Sequence, residues 1–192
     1  KHIPTGAGLG GGSADASYML RLLNEMCALG ISDEELEAYA ARLGADCPFF
    51  IKNTPVYATG IGNEFHPIAL DLSGWHIVVV KPDVFVSTKE AYSMVRPEKP
   101  EVTLDKKIVR PIEEWRETVS NDFEKGIFAI HPELADIKNR LYELGAVYAA
   151  MSGSGSALYG LFAKPVEGVE RCFEGCFCEQ QKLPDSHRGV PK

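Results

Sequence analysis

The sequence predicts an α+β fold in two lobes. Three observations carry this: a glycine cluster opening straight into an amphipathic helix, a strand–turn–strand passage over residues 55–80, and a later stretch where helical and strand-like patterns alternate. The 192 residues are 45% hydrophobic, enough for one real core or two small ones. Charged residues make up 24%, which argues against wholesale disorder.

The first helix follows the glycines, with Ala16, Met19, Leu20, Leu23 and Cys27 at three- and four-residue steps. Ser13 is the expected N-cap, and Asp15 suits the first turn. A second helix has its start written out: Ser32 and Glu35 form a capping box, Ile31 and Leu36 a hydrophobic staple. Leu36, Tyr39, Ala40 and Leu43 line its buried face, and Gly44 is expected to end it as a left-handed cap. Asp46 then stands between that helix end and Cys47-Pro48-Phe49-Phe50-Ile51, read as a proline-stiffened apolar strand. Short strands are expected at 56–58, 65–70 and 76–80. Helical patterns at 88–95, 111–129 and 132–144 follow, with strands at 77–80, 146–151 and 156–162. Residues 97–110 read as a surface connection. A boundary near Gly74 gives lobes at 1–75 and 76–178, with 179–192 as a polar tail.

Twenty Lys and Arg against 27 Asp and Glu give a net charge of −7, the wrong sign for a phosphate-tracking nucleic-acid surface. No apolar run approaches the roughly 20 residues of a membrane-spanning helix, so no membrane span is expected. Without a charged-then-apolar leader nothing points to secretion, and the start at Lys1 reads as a longer chain cut short. Five cysteines are an odd, sparse set. Cys27 and Cys47 read as core residues, and Cys172, Cys176 and Cys178 lack the paired spacing of a zinc site. A cytoplasmic protein with reduced thiols is the expectation.

Residues 6–12 hold five glycines, and several chemistries compete for them. Gly6, Gly8 and Gly11 satisfy the dinucleotide spacing with Asp33 about twenty residues on. Yet no strand precedes them, and Asp33 opens a helix where it should end a strand. A Walker loop lacks its lysine after Gly11 or Gly12. Ser13, Ser154 and Ser156 lack the flanking glycines of a hydrolase elbow. What remains is the physics common to phosphate loops: glycines bare the main-chain amides, and a helix N-terminus adds a positive end. A ligand-free glycine turn is the alternative.

Pro4-Thr5-Gly6-Ala7-Gly8-Leu9-Gly10-Gly11-Gly12-Ser13 resembles the ATP loop of the GHMP kinases. The likeness continues in order through Leu43-Gly44-Ala45-Asp46-Cys47-Pro48-Phe49-Phe50, Gly60-Ile61-Gly62, Lys81-Pro82 and Val86-Ser87-Thr88-Lys89-Glu90-Ala91-Tyr92. It ends with Asn121-Asp122-Phe123-Glu124 and Met151-Ser152-Gly153-Ser154-Gly155-Ser156. The resemblance implies a partial ribosomal-protein-S5-domain-2-like lobe and a ferredoxin-like lobe. It implies ATP held by Pro4, Thr5, Gly6, Ala7, Gly8, Leu9, Gly10, Gly11, Gly12, Ser13 and Ala14, with Ser13 touching phosphate or Mg2+. The longer match implies a small-molecule substrate, a cytidine diphosphate conjugate of methylerythritol from non-mevalonate isoprenoid synthesis, phosphorylated on its 2-hydroxyl. Asp46 would orient that hydroxyl and take its proton, Tyr92 would lie against cytosine, and Thr88 would bond a substrate hydroxyl. The second glycine–serine element, 152–156, would pack beside the ATP loop.

Read without the family, Asp46 is a turn aspartate, Tyr92 a buried helix aromatic and Thr88 an N-cap. Two departures stand out. Position 14 is Ala where a second serine is usual, and the family's N-terminal portion, with the lysine thought to assist Asp46, has no counterpart here; Lys1 is not that lysine. The fragment alone is therefore expected to be inactive or nearly so, as monomer or homodimer. Homoserine- and mevalonate-type kinases and a non-catalytic nucleotide-binding module are the rival readings.

Overall fold

A computed structural model describes residues 2–184, which fall into two compact units. One is Gly10–Leu70; the other joins the residues up to Leu9 with those from Asp71 onward. Residues 2–9 thus group with the residues from Asp71 onward.

In the Gly10–Leu70 unit, helix α1 (Gly11–Met26) is followed by α2 (Asp33–Ala41), a one-turn α3 (Phe49–Lys52), and strands β1 (Val56–Thr59) and β2 (Glu64–Pro67), which pair antiparallel. The capping box of α2 forms as expected, with Glu35 N–H donating to Ser32 Oγ and Ser32 N–H to Glu35 Oε2. Leu36, Ala40, Cys47 and Ile51 make a small core against which Ala16, Leu20 and Ile31 pack. Four local expectations are corrected. Helix α1 begins inside the glycines, with Gly10 at φ 64° as its N-cap, so Ser13 is already helical. Gly44 is not left-handed, because α2 closes with Arg42 in ordinary helical geometry. The run after Pro48 turns helical where a strand was expected. Cys27, Met19 and Leu23 of the expected apolar face are exposed, and α1 buries only Ser17 completely.

The second unit is built on a four-stranded antiparallel sheet in the order β4-β5-β3-β6. Its elements are β3 (His76–Lys81), α4 (Thr88–Met94), α5 (Leu104–Ile108), α6 (Trp115–Thr118), α7 (Phe123–Ile130), α8 (Pro132–Glu143), β4 (Tyr148–Met151), β5 (Leu158–Phe162) and β6 (Phe177–Lys182). Such a strand order, with helices after the first strand and a short 3₁₀ turn before the last, is the ferredoxin-like arrangement. Alternation sets the two faces. Val78, Val80, Ala149, Met151, Leu158 and Phe162 point to a core shared with Ile127, Leu134 and Leu141 of α7 and α8. On the opposite face Tyr148 meets Trp115 and Tyr159 edge-on.

Residues 179–192, expected as a polar tail, begin inside β6, whose polar Glu179, Gln180 and Gln181 pair with β3 as an edge strand. The remainder from 185 lies outside the described residues. Within 97–110 the chain forms α5, and the 111–129 helical pattern is broken between α6 and α7 around Asn121. All five cysteines are free thiols. Cys172, Cys176 and Cys178 pack against the sheet core, and burial pushes the Cys178 thiol up to about 11, which keeps it protonated.

Gly160 shows how closely α8 approaches the sheet: a Cβ there would lie 2.9 Å from the Phe162 ring and 3.3 Å from both Ala146 and Leu141. Gly160→Val is expected to destabilise the protein by about 1–3 kcal/mol through overpacking. Urea unfolding checks this, and an unchanged midpoint would contradict such tight helix–sheet packing.

Candidate functional site

The glycine segment is divided between the units after Leu9. In the Gly10–Leu70 unit, the left-handed Gly10 turns the chain so that Gly11 and Gly12 start α1 with no side-chain cap. A Cβ at Gly10 would sit 2.8 Å from the Phe50 ring, whereas one at Gly12 would meet open space. The first main-chain bond runs from Ala14 N–H to Gly10 O, at 2.9 Å. The amides of Gly11, Gly12 and Ser13 therefore point out of the helix end, where a 16-residue helix concentrates its positive dipole. Such an end fits an anion.

Ser17, fully buried, ties this end to Asp46. Its Oγ lies 2.6 Å from Cys47 O and 3.0 Å from Ser13 O, so one hydroxyl proton serves two carbonyls. The carbonyl after Asp46 and the first turn of α1 are thus bonded to one atom. Asp46 itself is exposed in the turn before α3, followed by buried Cys47 and Pro48. Its Oδ1 is 3.8 Å from where a Cβ of Gly62 would be, which places the carboxylate beside the β1–β2 turn. Sequence reasoning singled out Asp46 and missed Ser17, whose partner carbonyl lies 30 residues away.

The earlier half of the loop belongs to the other unit. Gly8, at φ +74°, lies so close to the 151–156 turn that a Cβ would be 2.0 Å from Ser152 O. Ser152 Oγ donates to Gly8 O at 2.8 Å, and Ala157 N–H donates to Ala7 O at 3.1 Å. The second glycine–serine element therefore packs on residues 7–8. Ser156, fully buried, reaches the other way to Val84 O.

Thr88 is the first residue of α4, after Ser87 as its N-cap, and its Oγ1 lies 3.5 Å from Ser154 Oγ. Tyr92 is 67% exposed, not buried, and meets Phe123 edge-on with ring centroids 5.0 Å apart. Most of the Tyr92 side chain is thus exposed. Among the described residues no three His, Cys, Asp or Glu side chains are grouped as metal ligands. No helix among the described residues is long and apolar enough to cross a membrane.

The GHMP kinases N terminal domain matches residues 1–53, and the GHMP kinases C terminal domain matches residues 106–175. The chain is 55% identical over 183 residues to 4-diphosphocytidyl-2-C-methyl-D-erythritol kinase of Bacteroides fragilis, covering 95% of this chain and 67% of that protein. A crystal structure of 4-(cytidine 5'-diphospho)-2C-methyl-D-erythritol kinase superposes with a TM-score of 0.78 at 33% identity, covering 94% of this chain and 68% of the other. Homoserine kinase from Cytophaga hutchinsonii, at 14% identity and a TM-score of 0.67 over 96% of this chain and 68% of that one, shares the fold alone. The chain belongs to the GHMP kinases, in the family of the 4-diphosphocytidyl-2-C-methyl-D-erythritol kinases.

Proposed function

We propose that this protein transfers the γ-phosphoryl group of ATP to the 2-hydroxyl of 4-diphosphocytidyl-2-C-methyl-D-erythritol. The observation that carries the reading is the glycine-opened end of α1, bonded through Ser17 to the residue after Asp46. Phosphoryl transfer asks a protein mainly for positioning and charge neutralisation. An acidic chain without a Walker lysine supplies the second through main-chain N–H groups. Amides of Gly11, Gly12 and Ser13 donate to phosphate oxygens, and residues 4–9 complete the nucleotide segment. Ser13 would help hold Mg2+, which would supply charge neutralisation at the phosphates.

Asp46 orients the substrate hydroxyl and accepts its proton as the new O–P bond forms and the bond from the γ-phosphorus to the bridging oxygen breaks, releasing ADP. The exposed Tyr92 lies against the cytosine ring, and Thr88 Oγ1 bonds a substrate hydroxyl. The 55% identity to a kinase of that name, against 14% to a homoserine kinase, favours the cytidine substrate over the superfamily's other alcohols.

The chain spans about two thirds of the length of that relative, so transfer by the 192 residues alone is expected to be slow or nil. A chimera carrying the unmatched part of the Bacteroides fragilis kinase is expected to phosphorylate the cytidine compound and to spare homoserine and mevalonate. In it Asp46→Asn should lower kcat by about 10²- to 10⁴-fold while ATP affinity holds. Equal turnover on the other alcohols, or an Asp46→Asn protein with full kcat, would refute the assignment.

Nucleotide binding can be tested on the chain itself. Gly8→Ala forces a side chain into left-handed backbone against Ser152 O. It should weaken ATP roughly ten-fold or more in a calorimetric titration, and unchanged affinity would remove residues 4–9 from the site.

A further inference from the structure

Asn121-Asp122-Phe123-Glu124 has no part in the proposed chemistry, yet its two outer side chains do specific work on a neighbouring turn. Asn121 uses both ends of its amide, and Nδ2 serves the turn. Oδ1 accepts from Phe123 N–H at 2.9 Å, which starts α7, while Nδ2 donates to Met151 O and to Gly153 O, each at 2.8 Å. Glu124 is 8% exposed, with Oε1 accepting from Met151 N–H at 2.8 Å and Oε2 pairing with Lys138 Nζ at 2.5 Å. One tetrapeptide thus holds both main-chain groups of Met151, on the outer edge of edge strand β4. The residues it holds lead directly into Ser152, which donates to Gly8 O, and Ala157, which donates to Ala7 O.

We propose that Asn121 and Glu124 are positioning residues for the nucleotide loop: they clamp 151–153 so that Ser152 and Ala157 hold Ala7 and Gly8 in the phosphate-binding conformation. The clamp rests on the nucleotide reading above for its purpose but on the hydrogen bonds alone for its existence. Both of Asn121's donors are committed to carbonyls of the turn, and a buried carboxylate accepts the amide of Met151 just before them. A side chain needed only to begin α7 would use Oδ1 and leave Nδ2 to water.

Two variants separate the roles. Asn121→Asp keeps the acceptor for Phe123 N–H and loses both donors to the turn. Glu124→Gln keeps an acceptor for Met151 N–H and loses the charge opposite Lys138. Amide hydrogen exchange on the 192-residue chain, read at Ala157 and over residues 6–9 and 151–157 and compared with β3 and β5, gives the structural arm. An ATP titration gives the functional arm.

Asn121→Asp is expected to speed exchange at Ala157 and over 6–9 by about ten-fold, to leave β3 and β5 unchanged, and to weaken ATP by a similar factor. Glu124→Gln, whose neutral amide oxygen holds Met151 N–H less strongly than the carboxylate, is expected to move both in the same direction by a smaller factor. Exchange unchanged at Ala157 in Asn121→Asp, or raised equally across β3 and β5, would overturn the clamp. Should the parent chain bind no ATP, the nucleotide reading fails while the exchange arm still decides for or against the clamp.

Discussion

A single buried hydroxyl holds the proposed chemistry together. Ser17 Oγ sits between Ser13 O and Cys47 O, at 3.0 and 2.6 Å, with no exposure to solvent. A carbonyl in the first turn of a helix normally accepts only from the residue four along, and Cys47 O precedes a one-turn helix. Bonding both to one atom sets where the turn carrying Asp46 lies relative to the open amides of α1. The surrounding core, Leu36, Ala40, Cys47 and Ile51, is small, so directional bonding does here what bulk burial does elsewhere.

A net charge of −7 and a triphosphate ligand look opposed until the donors are identified. The positive potential is local, made by peptide dipoles and bared N–H groups, and it does not require a basic surface. Glycine is the means in both units. Left-handed Gly10 lets α1 start without a capping side chain, and Gly8 lets the main chain lie against Ser152. In each case a side chain would take the room that the backbone needs. The donors sit at a fixed helix end, and the acidic acceptor stands in the same compact unit.

Much of this was readable in the residues. The capping box at Ser32 and Glu35 and strands β3, β4 and β5 follow from local chemistry and period, and the structure has them. The start of α1 was misread because Ser13 is a good cap, whereas glycine conformation leaves no side-chain signal to set against it. Pro48-Phe49-Phe50-Ile51 has the composition of a strand and turns helical because Ile51 must reach the core beside Leu36. Strand β6 was hidden by its own polarity, as edge strands often are. Ser17, Asn121 and Glu124 could not be found from spacing, because each acts on a carbonyl or amide about thirty residues away.

The most direct test of the central claim is a crystal structure of the chain with the β,γ-imido analogue of ATP and Mg2+. The account predicts phosphate oxygens accepting from the amides of Gly11, Gly12 and Ser13, with the Asp46 carboxylate facing the γ-phosphoryl group. A triphosphate bound away from the start of α1, or an Asp46 side chain turned from the γ-phosphorus, contradicts it.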